Sequence, residues 1–305
     1  MSKRLLPAAL FAALPAVLIA GTPGAALPVP GDYKAIGDTK TVALDPARSY
    51  LIVQTSSASS MYSFPIAFIR RPDKADIDDY LARRKAALDK AHAKWTGKHA
   101  SWVKQAADWD KLPKQDRAGQ PRPAEPVEPT DLNLAFPAIE QEGIVIIGPF
   151  NRFAKANGRS TFLHAVPPGR YAFYGPINIA AAAFGTCMCM GSIEFEVKPG
   201  QIVNGGMMTI NFMAERAKAK AEGRPVPKTE TDLPPDMNTI SWEVPVAGYA
   251  VDPRLSAYTI VPAELHATGR IPNYYGLMID RLTAIPGVLD YDRDRIIDVK
   301  AKPAG

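Results

Sequence analysis

The only two cysteines of the chain stand in Cys187-Met188-Cys189-Met190. On a strand, alternate side chains share a face, so both sulfhydryls would point one way and both thioethers the other. Soft thiolate and thioether ligands select copper(I) or a related metal, and Met207, Met208 and Met213 follow closely. A site of that kind recruits a second pair of soft ligands, and no further Cys is present to supply one. A redox-active disulfide is another reading and suits an oxidising compartment. A Cys-x-Cys bridge along a fully extended strand, however, lies near or beyond the usual Cα separation. The plainest reading is two small hydrophobes in a core strand. Copper at Cys187 and Cys189 is the one cofactor the sequence suggests.

The remaining reactive residues form no complete motif. His92, His99, His164 and His266 make neither a His-Glu-x-x-His nor a His-x-His pair, so a catalytic zinc has no support. His92 and His99 are expected to be solvent-exposed, and His164 to face water. Asp290-Tyr-Asp292-Arg-Asp294 superficially resembles a calcium loop, but Arg295 and Ala301 stand where Gly and a bidentate Glu are needed. An exposed, salt-bridged segment is the expectation there. Ser56, Ser57, Ser59 and Ser60 read as a polar loop, Gly205-Gly206 as a turn, and no P-loop or dinucleotide fingerprint occurs. Trp95, Trp102 and Trp109 make a stripe at seven-residue intervals. It reads as a packing face, with an interaction surface as the alternative.

The chain begins with Lys3 and Arg4, an uncharged apolar run from Leu5 to Ala20, and the small residues Gly24-Ala25-Ala26. This is the pattern of a secretory signal peptide over residues 1–26, which places the protein in the periplasm or outside the cell. An uncleaved anchor is the rival reading, although Pro7 and Pro15 make the run a poor permanent span. After cleavage no transmembrane span is expected. Cleavage removes two of the 36 basic residues and none of the 31 acidic ones, leaving 34 minus 31, or +3. That balance gives no reason to expect nucleic acid as a partner.

The elements that must position these residues are mostly β. Runs rich in β-branched and aromatic residues occur at 49–55, 62–69, 143–148, 160–166, 170–174, 192–197 and 207–212, and those from 160 on are separated by turn sequences, not helices. Residues 74–111 change to helical periodicity, with Asp73 as N-cap and Asp76 as its acidic partner, and Gly97 is expected to divide the pattern into two helices. Five prolines between Pro113 and Pro129 suit an extended surface loop. A short helix at 213–222 precedes a second Pro-rich connector, and another helix is expected near Asn273 to Leu282.

Val166-Pro-Pro-Gly-Arg-Tyr171 and Phe195-Glu-Val-Lys-Pro-Gly200, with the β segment after them, resemble exported bacterial β-sandwich domains of unknown function. The resemblance covers about residues 160–212 and implies a transthyretin- or immunoglobulin-like sandwich; no catalytic residue comes with it. The expected protein is therefore mainly β: a signal peptide at 1–26, then an antiparallel β-sandwich at 27–212. The sandwich carries a helical insertion at 74–111 and a Pro-rich loop at 112–131. A helix and linker at 213–235 and a mixed α/β region at 236–305 complete it. Its expected function is non-enzymatic binding of an envelope protein, peptide or polymer, with soft-metal or thiol-redox work as one alternative. A second alternative is an enzyme on an envelope substrate that carries no recognisable motif.

Overall fold

A computed structural model describes residues 33–56, 65–117, 119–156, 158–178, 183–228, 232, 240–245 and 252–300. The expected signal peptide and Ser57, Ser59 and Ser60 lie outside the described residues. The first half contains β1 (Lys34–Ile36), β2 (Ser49–Ser56), β3 (Ile66–Arg70), α1 (Lys74–Lys111), α2 (Lys114–Arg117), α3 (Ile139–Glu142), β4 (Ile144–Ile147) and β5 (Ala154–Ala156). Then come β6 (Arg159–Val166), β7 (Gly169–Asn178), β8 (Phe184–Cys187), β9 (Ser192–Val197), β10 (Ile202–Ile210) and α4 (Asn211–Ala221). Short strands end the chain: β11 (Ile240–Glu243), β12 (Ile260–Pro262), β13 (His266–Thr268), β14 (Met278–Ile279), β15 (Leu289–Asp292) and β16 (Arg295–Asp298).

The protein is mainly β. One sheet has the order β1-β6-β2-β10-β11, with β5 on β6 and β12 on β10. The other has β13-β9-β7-β3-β4, with β8 on β7 and β14 on β8. One apolar cluster draws on both sheets, taking Leu51, Phe162 and Trp242 from the first and Phe68, Phe173 and Phe195 from the second. Phe68 sits among the rings of Phe173 (5.7 Å), Phe195 (5.7 Å) and Trp242 (6.0 Å), the tilted and edge-on contacts that aromatic quadrupoles favour. The buried indole N–H of Trp242 donates to the Gly205 carbonyl at 3.0 Å.

Not every pairing is antiparallel. β2 and β12 both run parallel to β10. The turn after β9 carries the chain from one sheet to the other, so β10 enters alongside β2 instead of folding back on β9. Gly205-Gly206 is not a separate turn. It lies inside β10 at a register shift, where Gly206 (φ 102°) has no room for a Cβ beside Glu243 and Trp242.

Two helix expectations fail. Gly97 does not divide the insertion: α1 runs unbroken for 38 residues. No helix forms over 273–282. There the backbone N–H groups of Ile271, Asp280 and Leu282 donate to Cys189, Cys187 and Gly191, and Gly276 takes a left-handed φ of 64°. The C-terminal region instead supplies strands to both sheets, β11 and β12 on β10 and β13 on β9.

His164 does not face water. It shares the core-facing side of β6 with Phe162 and Val166, is 6% exposed, and its Nε2 finds no partner. Burial pushes its pKa down from 6.5 to about 4. Between those values the unfolded chain binds a proton that the folded chain refuses, so stability is lost as pH falls, at about 1.4 kcal/mol per pH unit. Urea unfolding is expected to show about 3 kcal/mol lost between pH 6.5 and 4, and His164→Leu is expected to flatten that part of the profile.

Candidate functional site

The insertion between β3 and β4 is the most distinctive feature of the molecule. The two strands pair antiparallel, Ile69 opposite Ile144, and the Arg70 N–H donates to the Gly143 carbonyl at 2.9 Å. The segment between them therefore leaves and re-enters the body at one point. Asp73 and Asp76 close a capping box at the start of α1, each side chain accepting a backbone N–H at 2.9 Å. The Arg70 guanidinium reaches Asp76 at 2.6 Å. Burial opposes the Asp76 charge, but that ion pair and the Asp73 N–H hold its carboxyl below the usual range.

Arg83 grips Glu142 with two bonds of 3.0 and 2.6 Å, and the Tyr80 hydroxyl donates to the Pro137 carbonyl at 2.8 Å. Arg83 and Glu142 rim a cleft of about 630 Å³ whose wall also includes Tyr33, Arg70 and Asp76. Burial raises the Tyr33 phenol above its ordinary pKa even though Arg70 favours its charged form.

Beyond this root only Ala106 of α1 is buried. The Trp stripe is covered by the Pro-rich segment of the same chain. Trp95 donates its indole N–H to the Pro126 carbonyl (2.9 Å) and Trp102 to that of Pro123 (3.0 Å). His99 lies 3.3 Å from Glu125 and His92 3.9 Å from Glu128. Both sets follow one rule: seven helical residues advance as far as three extended ones. Seven residues of α-helix rise about 10.5 Å, and three residues of polyproline-type chain about 9.3 Å. The rings of His92, Trp95, His99 and Trp102 form one ladder with centroids 6.1, 4.8 and 5.3 Å apart, the first contact edge-on and the other two tilted. At the far end the Arg117 guanidinium lies 4.8 Å over the Trp109 ring, and the Trp109 indole N–H is buried without a partner.

The other candidates fall elsewhere. Cys187 and Cys189 are disulfide-bonded to each other, with Cα atoms 5.1 Å apart, well inside the range for a bridge. The chain leaves β8 at Cys187 and does not remain fully extended through Cys189. Both sulfurs lie in the apolar cluster with Ile69, Tyr174 and Ile271, while Met188 points into the inter-sheet core. In the bridged form neither sulfur is the thiolate that copper needs. The Asp290 segment is the β15–β16 hairpin, and its Asp298 lies 3.4 Å from His266. Among the described residues no three His, Cys, Asp or Glu side chains gather as a metal site. A second cleft, about 470 Å³, separates β9 from β12, with Arg170, Glu194, Glu264 and His266 at its rim. Arg71 (3.4 Å) and Arg170 (3.5 Å) both pair with Glu194 there.

Sequence reasoning found the Trp stripe but missed what covers it. The available signal was the triplet Pro123-x-Glu125-Pro126-x-Glu128-Pro129, read against the His92/Trp95/His99/Trp102 heptad. No protein-family model, curated protein or solved structure matches this chain.

Two expectations can be measured. Removing both indole bonds at about 1 kcal/mol each should loosen the Pro-rich segment. Trp95→Ala/Trp102→Ala is thus expected to raise limited proteolysis between Gly119 and Asp131 at least tenfold, with melting of the β body little changed. For the disulfide, the closed loop is very short. Cys187→Ala/Cys189→Ala is accordingly expected to cost only about 1.5 kcal/mol in urea unfolding, and thiol titration of the parent chain should find two thiols only after reduction.

Proposed function

We propose that this chain is an exported, non-enzymatic β-sandwich protein that holds the α1 arm out toward a partner in the cell envelope. Two sheets contributing to one core support the sandwich, and a disulfide between the only two cysteines suits the oxidising compartment expected from the amino-terminal segment. The single observation that carries the binding role is the arm. A 38-residue helix, about 57 Å long at the standard rise, buries one residue and seals its aromatic face with its own chain. It adds almost nothing to the core, yet the helix is unbroken from Lys74 to Lys111. A rigid projection of that kind presents a surface.

Arg84 bonds the Asp131 carbonyl at 2.6 Å, so the arm can be shortened above that point while its root is kept. Replacing residues 86–129 with a short Gly-rich loop is expected to leave melting of the body within a few degrees. Recovery of the protein with the envelope fraction should fall at least tenfold. Equal recovery of shortened and full chains would remove the arm from the function.

A further inference from the structure

From Lys90 to Ala107, α1 carries four lysines, Lys90, Lys94, Lys98 and Lys104, and no carboxylate. At 100° per residue the four fall within a sector about 120° wide, next to the Trp stripe but not beneath the Pro-rich cover. All four are exposed, and among the described residues none has an acidic partner within 4.0 Å. The other lysines of the helix, Lys74, Lys85 and Lys111, are each paired with an aspartate.

Lys90, Lys94 and Lys98 repel one another at i,i+4 spacing, at about 0.2–0.5 kcal/mol per pair, and no carboxylate among the described residues pairs with them. The residues among and beside them are mostly small, Ala93, Gly97 and Ser101, with Gln105 next to Lys104. The space around the missing Cβ of Gly97 is open, and the Ser101 hydroxyl is already bonded to the Gly97 carbonyl. The face therefore offers charges about 6 Å apart from Lys90 to Lys98, and a fourth about 9 Å farther along at Lys104, with no apolar anchor. A second copy of the arm brings the same lysines and no carboxylate in this window. A folded protein partner would be expected to seat side chains against aromatic or aliphatic anchors, and none is present.

We infer that this lysine row binds a linear polyanion of the acidic-polysaccharide class, laid along the helix over the small residues. The inference rests on the arm being the binding element and names what it binds.

The test titrates fluorescently labelled polygalacturonate with the full mature chain, using neutral dextran and poly-glutamate as comparators. The parent is expected to bind polygalacturonate, not dextran, with affinity falling steeply as salt rises. Lys90→Gln/Lys94→Gln/Lys98→Gln/Lys104→Gln is expected to lose at least tenfold in affinity. The slope of log K against log salt should drop by roughly three, at about 0.7 per contact on a flexible polyanion. Circular dichroism should show the helix retained, since Gln is a good helix former and the repulsion is gone. Lys74→Gln/Lys85→Gln, which removes two paired lysines, should bind like the parent. Unchanged binding by the four-lysine variant, salt-insensitive binding, or a preference for poly-glutamate would overturn the inference. So would envelope recovery that is lost on shortening the arm but kept by the four-lysine variant, and that result would leave the arm's role standing.

Discussion

The structure turns on Arg70. Its backbone N–H closes the β3–β4 pair against Gly143, and its guanidinium holds the capping carboxylate of α1. One residue thus fixes both where the insertion leaves the sheet and the direction in which it starts. The fit admits no substitute opposite: a Cβ on Gly143 would meet the Arg70 carbonyl oxygen at 2.5 Å. β3 lies between β7 and β4 and is fully buried from Ile66 to Ile69. The arm is rooted in a buried strand, and Arg83 with Glu142 adds a second clamp about two turns farther along α1 than Asp76.

Beyond that root the arm must stabilise itself. Isolated helices are marginal in water, and a helix with a single buried residue draws little from the body. The Pro-rich segment supplies what the body does not, since prolines lose little conformational freedom on lying extended. The match between heptad and triplet is close but not commensurate, and about 1.2 Å of slip accumulates per repeat. Two repeats, at Trp95 and Trp102, keep their hydrogen bonds. At Trp109 the indole N–H has none, and α2 brings Arg117 over the ring instead. The length of the ladder is set by that mismatch.

Much of the sheet structure was legible because it depends on local pattern: β2, β4, β6, β7 and β9 fall where β-branched and aromatic runs sit between turn residues. What failed depended on distant partners. The parallel entry of β10 follows from a change of sheet that no local pattern records. Gly97 lies on an exposed face, where its roughly 1 kcal/mol penalty is too small to break a helix braced on its other side. Residues 273–282 have helical spacing, yet their backbone donors go to Cys187 and Gly191. The histidines show the same limit. His164 shares parity with Phe162 and is buried, while His92 and His99 are drawn to glutamates 26 residues or more away.

The arm's inner ladder also decides what its outer face can do. With the indoles committed inward, the exposed sector has no apolar anchor, so any recognition there is electrostatic and acts before contact. Lys90, Lys94 and Lys98, about 6 Å apart, lie within one Debye length of about 8 Å at physiological salt, and act on an approaching anion as a line of charge that Lys104 extends. Held on one unbroken helix, the four charges keep set relative positions, which a flexible lysine-rich loop would lack. On the proposed reading, the helix decides where the four charges stand, so a polymer whose anions fall at matching intervals would meet more of them.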